Sequence, residues 1–389
     1  MKRPKVFVAM SGGVDSSVAA ALLKKSGKFE VVGCHMKCWS AWDQCSVEKD
    51  AEDARAVAEK LEIPFYIFDF EKEYRERVFN YMVREYAVGR TPNPDVFCNS
   101  EIKFGIFLEK ALALGADFVA TGHYVRKSEI RNQKSEIISN PQILNKRNVL
   151  NLENSNLEFV SSFDISASNF SLHAARDSAK DQSYFLWRLT QNQFKHALFP
   201  IGDYLKSEIR EMARKFGLPT ADKKDSQGLC FVGKVDFSDF LREILPKNPG
   251  PIATTSGKII GEHDGLNFYT LGQRHGIKIG GTSEPLYVAA KEAATNTLIV
   301  AEGDLDPALY EKEIEITDIN WIGGIKPELP LNCESRIRYR QPLQKCGLRK
   351  STDGGKVRVV FNEPQKAATP GQSAVFYKCG EMLGGGIIK

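Results

Sequence analysis

No run of about 18 apolar residues, the length a helix needs to cross a bilayer, occurs anywhere in the 389-residue chain. The N-terminus passes from Met-Lys-Arg-Pro straight into a strand-like segment, without the apolar core of a signal peptide, so a cytosolic protein is expected. Cysteine is sparse as well. Eight unevenly spaced residues exclude a small disulfide scaffold and fit a reducing compartment, where any disulfide is transient and catalytic. An excess of one charge is also missing: 53 basic and 49 acidic residues leave a net +4, which neither demands nor excludes nucleic acid. Apolar residues, by contrast, make up 42% of the chain, enough for a sizeable core and, at this length, for two or three domains.

The most informative stretch is Lys5-Val-Phe-Val-Ala-Met-Ser-Gly-Gly-Val-Asp-Ser-Ser, an apolar strand that breaks into a glycine-serine turn and restarts as a helix. Gly12 and Gly13 permit positive φ and a close approach of backbone to ligand, while Ser11, Ser16 and Ser17 add hydroxyls at a helix N-terminus. The run Ala9, Met10, Ser11, Gly12, Gly13, Val14, Asp15, Ser16 and Ser17 is therefore a candidate phosphate cradle. It contains no lysine and lacks the Gly-x-x-x-x-Gly-Lys-Ser/Thr spacing that grips β- and γ-phosphates. A site that holds the pyrophosphate end of ATP and cleaves between the α- and β-phosphates fits better, with Asp15 as the candidate ligand for Mg2+. The alternative is a plain strand-to-helix glycine turn, which α/β proteins use widely.

Strands and helices alternate over the first 125 residues: strand Lys5 to Met10, helix Ser16 to Lys25, strand Glu30 to His35, helix Val47 to Leu61 and strand Phe65 to Phe70. Helices near Lys72 to Tyr86 and Glu101 to Leu114 follow, then strand Asp117 to Thr121. The pattern predicts a doubly wound parallel sheet, with Ser11, Met36 and Gly122 at strand carboxyl ends lining one nucleotide pocket. Between about Lys127 and Leu172 the texture turns to Ser, Asn and Glu, which reads as a surface insertion, disordered or a loose hairpin. Helices are expected again over Asp181 to Gln191 and Tyr204 to Phe216. From about Pro249 the helices run out, and short β-rich runs, Glu334 to Tyr339 among them, predict a small C-terminal β-barrel or sandwich.

Two cysteines stand apart. Cys98 follows Thr91-Pro-Asn-Pro-Asp-Val-Phe, read as a stiff loop feeding a helix near Glu101, where the helix dipole would favour the thiolate and Asp95 could act as a base. A buried structural cysteine beside a capping Asn99 is the equal alternative. Cys230 lies in another polar loop, Lys223-Lys-Asp-Ser-Gln-Gly-Leu-Cys-Phe, and two loop cysteines are what a sulfur transferase needs, one to carry a persulfide and one to resolve it as a disulfide. Two unrelated cysteines are the alternative. Cys34, His35, Cys38 and Cys45 do not form two paired knuckles, so neither zinc nor an iron-sulfur cluster is expected, and Trp39 and Trp42 read as packing residues or a lid.

The string Ser11-Gly-Gly-Val-Asp-Ser-Ser resembles the loop of the N-type ATP pyrophosphatases. Pro94-Asp95-Val-Phe-Cys98-Asn, Ala120-Thr-Gly-His123-Tyr, Lys180-Asp181-Gln182-Ser-Tyr, Gly228-Leu-Cys230-Phe and Arg338-Tyr339-Arg narrow the resemblance to the tRNA 2-thiouridylase family. Gly261-Glu-His-Asp-Gly, Tyr269-Thr-Leu-Gly-Gln-Arg and Thr369-Pro-Gly-Gln372-Ser extend it over most of the chain. The resemblance implies an adenine nucleotide alpha hydrolase-like domain over 1–200, a central tRNA-binding domain with the Cys230 loop over 201–300, and a β-barrel over 301–389. It implies ATP-dependent adenylation of the 2-oxygen of the wobble uridine in tRNAs for lysine, glutamate and glutamine, then replacement by sulfur supplied through a cysteine desulfurase or a relay protein. By position, Cys230 would carry the persulfide, Cys98 would resolve it or help release sulfur and Asp95 would be the acid/base group. Asn93 and Asp95 would meet the flipped uracil; Pro94, His123, Lys180, Asp181, Gln182, Arg338, Tyr339 and Gln372 would touch tRNA. A synthetase adenylating a small metabolite and an inactive RNA-binding protein are the rivals; intact Ser11, Asp15 and Ser16 speak against the second.

Overall fold

Four consecutive residues, Val6 to Ala9, can all be buried in one strand only if both faces of its sheet are covered, and helices cover both here. The computed structural model describes residues 2–39, 47–130, 169–224, 237–282 and 284–389. Strand β1 (Lys5–Ala9) pairs in parallel with β2 (Glu30–Lys37), which pairs with β3 (Phe65–Asp69); β4 (Phe118–Ala120) takes the other edge of β1. A hairpin, β5 (Val125–Ile130) and β6 (Asn169–Ala174), leaves this layer, and β7 (Ala197–Leu198) returns to it. The resulting order, β3-β2-β1-β4-β7, changes its direction of growth at β1, so the carboxyl ends of β1, β2 and β4 stand side by side. Helix α1 (Val14–Lys25) buries Val18 to Ala21 and Leu23, small and apolar residues that let it lie close to the sheet, and α2 (Val47–Lys60) buries Ala54, Val57 and Ala58.

The central part forms a four-stranded sheet of β8 (Gly250–Thr254), β9 (Ile259–His263), β10 (Leu286–Glu292) and β11 (Thr297–Glu302), in which β11 and β8 run parallel. The C-terminal strands are β12 (Tyr310–Trp321), β13 (Leu331–Arg336), β14 (Gln344–Lys350), β15 (Val357–Lys366), β16 (Ser373–Lys378) and β17 (Glu381–Ile388). They run β12-β15-β14-β13-β16-β17, and β12 pairs with β17 as well, closing a barrel around Ile316, Leu348, Val359 and Phe376. The barrel alternative to a sandwich is the one realised.

Several local expectations are corrected. The helix awaited from Glu101 begins at Pro94, whose ring presets the first helical φ, and continues through a π segment, Cys98–Ile106, into Phe107–Ala113. The helix awaited over Asp181 to Gln191 is a short 3-10 turn, Ser183–Leu186, followed by helix Gln191–His196 behind the capping box of Thr190 and Gln193. Asp181 explains the change, because its carboxylate accepts from the backbone N–H of Ala175 (3.1 Å) and Ser183 (3.2 Å) and so competes with helical bonding. The strand awaited to Tyr339 stops at Arg336, and Arg338-Tyr-Arg is a turn with Arg340 at φ +65°. The insertion begins as a regular ladder, Val125↔Ala174 to Ile130↔Asn169, and β6 adds it to the barrel through Leu172↔Met382; residues 131–168 lie outside the described residues. A further helix, Phe237–Ile244, has no counterpart in the sequence reading.

Candidate active site

The turn between β1 and α1 is shaped by its own hydrogen bonds. The Ser16 and Ser17 hydroxyls donate to the Gly13 carbonyl (3.2 and 2.8 Å), and the Ser11 N–H donates to Ser16 Oγ (3.1 Å). Gly12 sits at φ +75°, and a Cβ there would stand 2.3 Å from the Asp50 carbonyl oxygen, so both conformation and space demand glycine. Gly13 is the N-cap of α1 and no side chain caps the helix, which leaves its first-turn amides available to an anion. Ala9, Met10 and Val14 bury their side chains and offer only backbone. The register Ala9↔Cys34 brings Met36 level with Ser11, and a Cβ on Gly122 would lie 2.6 Å from the Ser16 nitrogen. The expected pocket residues, Ala9 to Ser17 with Met36 and Gly122, are thus assembled in one place, and the donor set fits a polyphosphate. The Asp15 carboxylate is a hard oxygen ligand suited to Mg2+, but here it holds Lys206 Nζ at 2.7 and 2.9 Å and accepts from the Tyr124 hydroxyl at 2.8 Å.

On the other side of Gly122 lies the Cys98 helix. Asn93 is its N-cap, Pro94 its first residue and Asp95 stands in its first turn, while the Cys98 N–H is already bonded to the Pro94 carbonyl. Cys98 therefore does not precede the helix N-terminus, as the sequence suggested, but sits one turn inside it, 6% exposed. Burial raises the Asp95 carboxyl above its ordinary value, with the Lys103 ammonium pulling the other way, and a raised carboxyl suits proton transfer. His123 is buried against the rings of Phe104 and Phe199, its Nδ1 lies 2.7 Å from Thr121 Oγ1, and burial together with Lys103 holds it well below 6.5, in the neutral form. Gly122 touches the phosphate loop and His123 packs on Phe104 of the Cys98 helix, so two adjacent residues bridge the two halves of the site.

The loop that enters this helix is held by the rest of the molecule. Gln372 Nε2 donates to the carbonyls of Thr91 (2.9 Å) and Pro92 (3.1 Å), the Thr91 N–H donates to Pro370 O (2.9 Å), and Thr91 Oγ1 lies 3.3 Å from Thr270 Oγ1. Other residues expected at a tRNA surface also turn inward. Asp181, 3% exposed, pairs with Arg336 Nη1 at 3.1 Å, and Arg338 Nη2 donates to Leu271 O (3.0 Å) and Ala367 O (2.9 Å). Gln182 exchanges hydrogen bonds with the Tyr124 backbone (3.0 and 2.9 Å), and Tyr339 packs on Phe185 with ring centres 4.4 Å apart. Lys180 is half-buried, and Arg340 is exposed, its guanidinium over the Tyr339 ring at 5.3 Å. The inward-turned residues share a physical reason: three sheets meet here, and buried polar groups at such a junction must find protein partners.

Lys206, Tyr124 and Lys103 stand at the candidate site without having been singled out from the sequence, and Lys223, which the sequence offered only as a cation near Cys230 or a solvated face, pairs with Asp50 and Asp53. Lys206 is 191 positions from Asp15, and no local pattern signals that pairing. Cys230, Cys45 and Trp42 lie outside the described residues. Cys34 is buried, and burial pushes its thiol up to about 12. Trp39 packs on Phe79 with ring centres 4.8 Å apart. No helix among the described residues is long and apolar enough to cross a membrane.

Residues 4–234 match a family model described as a tRNA methyl transferase HUP domain, 238–302 one described as a tRNA methyl transferase PRC-barrel domain, and 311–388 one described as an aminomethyltransferase beta-barrel domain. The tRNA-specific 2-thiouridylase MnmA 2 of Geobacillus kaustophilus is 43% identical over 387 residues, covering 99% of this chain and 94% of the relative. The tRNA-specific 2-thiouridylase MnmA of Methylobacillus flagellatus is 45% identical over 393 residues, 99% of either chain. Among solved structures, the U34-tRNA thiolase NcsA from Methanococcus maripaludis is 26% identical over 32% of this chain and 39% of its own, with a TM-score of 0.25.

Proposed function

The chain belongs to the family of tRNA-specific 2-thiouridylases, and from that premise we propose how its residues perform the reaction. It is a sulfurtransferase that consumes ATP and replaces the 2-oxygen of the wobble uridine in tRNAs for lysine, glutamate and glutamine with sulfur. The bridge formed by Gly122 and His123 is the observation that supports this reading best, because Gly122 packs on the candidate polyphosphate cradle and His123 on the helix that carries the half-buried Asp95 and the buried Cys98. A nucleotide-cleaving loop is also what adenylation needs and methyl transfer does not.

A carbonyl oxygen leaves poorly until it is bonded to a good leaving group. Asp95 takes the uracil N3 proton, the 2-oxygen attacks the α-phosphorus, and pyrophosphate departs with the electron pair of the broken bond. The raised Asp95 carboxyl makes it a stronger base than an exposed aspartate. Mg2+, when bound, neutralises phosphate charge, and Asp15 is the residue to hold it. The terminal sulfur of a Cys230 persulfide then attacks C2 and AMP leaves with the former 2-oxygen. The Cys98 thiolate attacks Cys230 Sγ, breaking the S–S bond, so that 2-thiouridine is freed, N3 regains its proton and the two cysteines form a disulfide that an external thiol reduces.

The nucleotide chemistry falls to residues 1–200, and the uracil meets Asn93, Pro94 and Asp95 after leaving its stack. Residues 201–300 and 301–389 hold the anticodon arm, and the half-buried Lys180 of the first domain joins the exposed Arg340 as its first phosphate partners. His123, Asp181, Gln182, Arg338, Tyr339 and Gln372 act from behind, by keeping the Asn93 loop in position. The sulfur comes from a cysteine desulfurase or a relay protein, in the cytoplasm. The decisive experiment is nucleoside mass spectrometry of unmodified lysine tRNA incubated with the protein, Mg-ATP and a persulfide or sulfide source. ATP-dependent 2-thiouridine at the wobble position is the expected product; AMP formed from another acceptor, with no 2-thiouridine, would move the protein to small-molecule adenylation.

A further inference from the structure

The phosphate loop carries no lysine of its own, yet two lysines from distant sequence stand against it. We propose that Lys206 and Lys223 receive the pyrophosphate of ATP, each parked on a carboxylate at the rim of the loop until the anion arrives; this rests on the adenylation reading above.

Lys206 is the first residue of helix Lys206–Lys215, and its backbone N–H is fixed by Asp177 Oδ2 at 2.9 Å. Its ammonium grips both oxygens of Asp15, which stands in the first turn of α1, where the uncapped amides open. The side chain is only 12% exposed, and Tyr124 shares the Asp15 carboxylate, so the charge is held in one place rather than swept through solvent. Lys223 lies between Asp50 Oδ1 (2.6 Å) and Asp53 Oδ2 (2.5 Å) of α2. The carbonyl of that same Asp50 is the atom that Gly12 packs against, so Lys223 is anchored on the residue that shapes the loop. Arg210 in turn donates to the carbonyls of Ala221 (3.2 Å) and Lys223 (3.1 Å), fixing the backbone that presents the ammonium.

The loop's own hydroxyls are largely engaged within it, Ser16 and Ser17 both donating to Gly13 O. Backbone amides alone carry partial charges, whereas a departing pyrophosphate carries about three full ones, and charge developing on a leaving group is where preorganised cations act most strongly. A carboxylate within 3 Å keeps each ammonium oriented at no cost in reorganisation, and exchange of a carboxylate oxygen for a phosphate oxygen conserves the charge pairing.

The test uses the full-length protein with Mg2+ and two probes measured separately by calorimetry, inorganic pyrophosphate and AMP. Lys206→Met and Lys223→Met are each expected to weaken pyrophosphate binding about tenfold or more while AMP affinity stays within about twofold. Lys206→Arg and Lys223→Arg, which keep the charge, are expected to restore most of the pyrophosphate affinity. Unchanged pyrophosphate binding in the methionine variants overturns the proposal. So does an equal loss for both probes, the mark of a merely structural role, or arginine variants as weak as the methionine ones. Failure of the adenylation reading shows separately, as wild-type protein that forms no AMP from ATP and tRNA.

Discussion

The phosphate loop and the Asn93 to Cys98 segment face each other across Gly122 and His123, and they are stabilised in opposite ways. The loop is local: consecutive residues close it with the Ser11, Ser16 and Ser17 hydrogen bonds, and its glycine conformation is written in its own backbone. The Asn93 segment borrows its position from afar, through Gln372 and Pro370 of the barrel and Thr270 of the central part. A site that must hold a small, invariant polyphosphate can be built from one turn. A segment held by distant parts of the chain moves only when those parts move with it.

The comparison breaks most completely at the sulfur. Cys98→Ser and Cys230→Ser are each expected to abolish 2-thiouridine formation while ATP-dependent adenylation of tRNA persists, seen as AMP-tRNA in nuclease digests; thiolation surviving in either variant removes that cysteine from the chemistry. On the local side, Gly12→Ala combines a positive φ with a Cβ 2.3 Å from the Asp50 carbonyl, and displacement of the loop is expected to slow AMP formation about 100-fold. On the borrowed side, Gln372→Ala leaves the Thr91 and Pro92 carbonyls without that donor, a loss of about 1–3 kcal/mol. Thiolation should fall about tenfold with ATP affinity unchanged, and an equal fall in ATP affinity would show that the two regions are not separable.

The smallest effect is one of pH. His123 is held neutral by burial, so its folded value lies below the ordinary 6.5 and the unfolded chain binds the extra proton. Stability is therefore retained above 6.5 and declines as pH falls below it. Urea midpoints across that range should show the decline in wild type and less of it in His123→Gln; identical slopes would mean that His123 does not report on the bridge.

Legibility followed the same division. The Ser11 to Ser17 loop, the strand alternation before it and after it, and the barrel were readable because strand period and glycine-serine turns are local signals. The start of the Cys98 helix was misplaced by seven residues, Pro94 against Glu101, because Thr91-Pro-Asn-Pro looks like a loop until Pro94 is recognised as a first helical residue behind an Asn N-cap. The helix expected from Asp181 and the strand expected through Arg338 failed for a different reason. No local pattern marks Arg336 as the partner of Asp181, or Leu271 and Ala367 as the partners of Arg338, and only the packing of distant segments reveals them.

The sequence by itself therefore determined the strand–turn–helix shape of the Ser11 to Ser17 loop, since a strand, two glycines and a helix start specify it within about a dozen residues, and its motifs carried the family resemblance that implied the reaction class. Tertiary structure alone decided that Asp15 and Asp50 meet Lys206 and Lys223, that His123 is neutral, and that Gln372 holds the loop before Asp95. Those facts depend on which distant surfaces exclude water from one another, and burial is a property of the folded whole rather than of any stretch of chain.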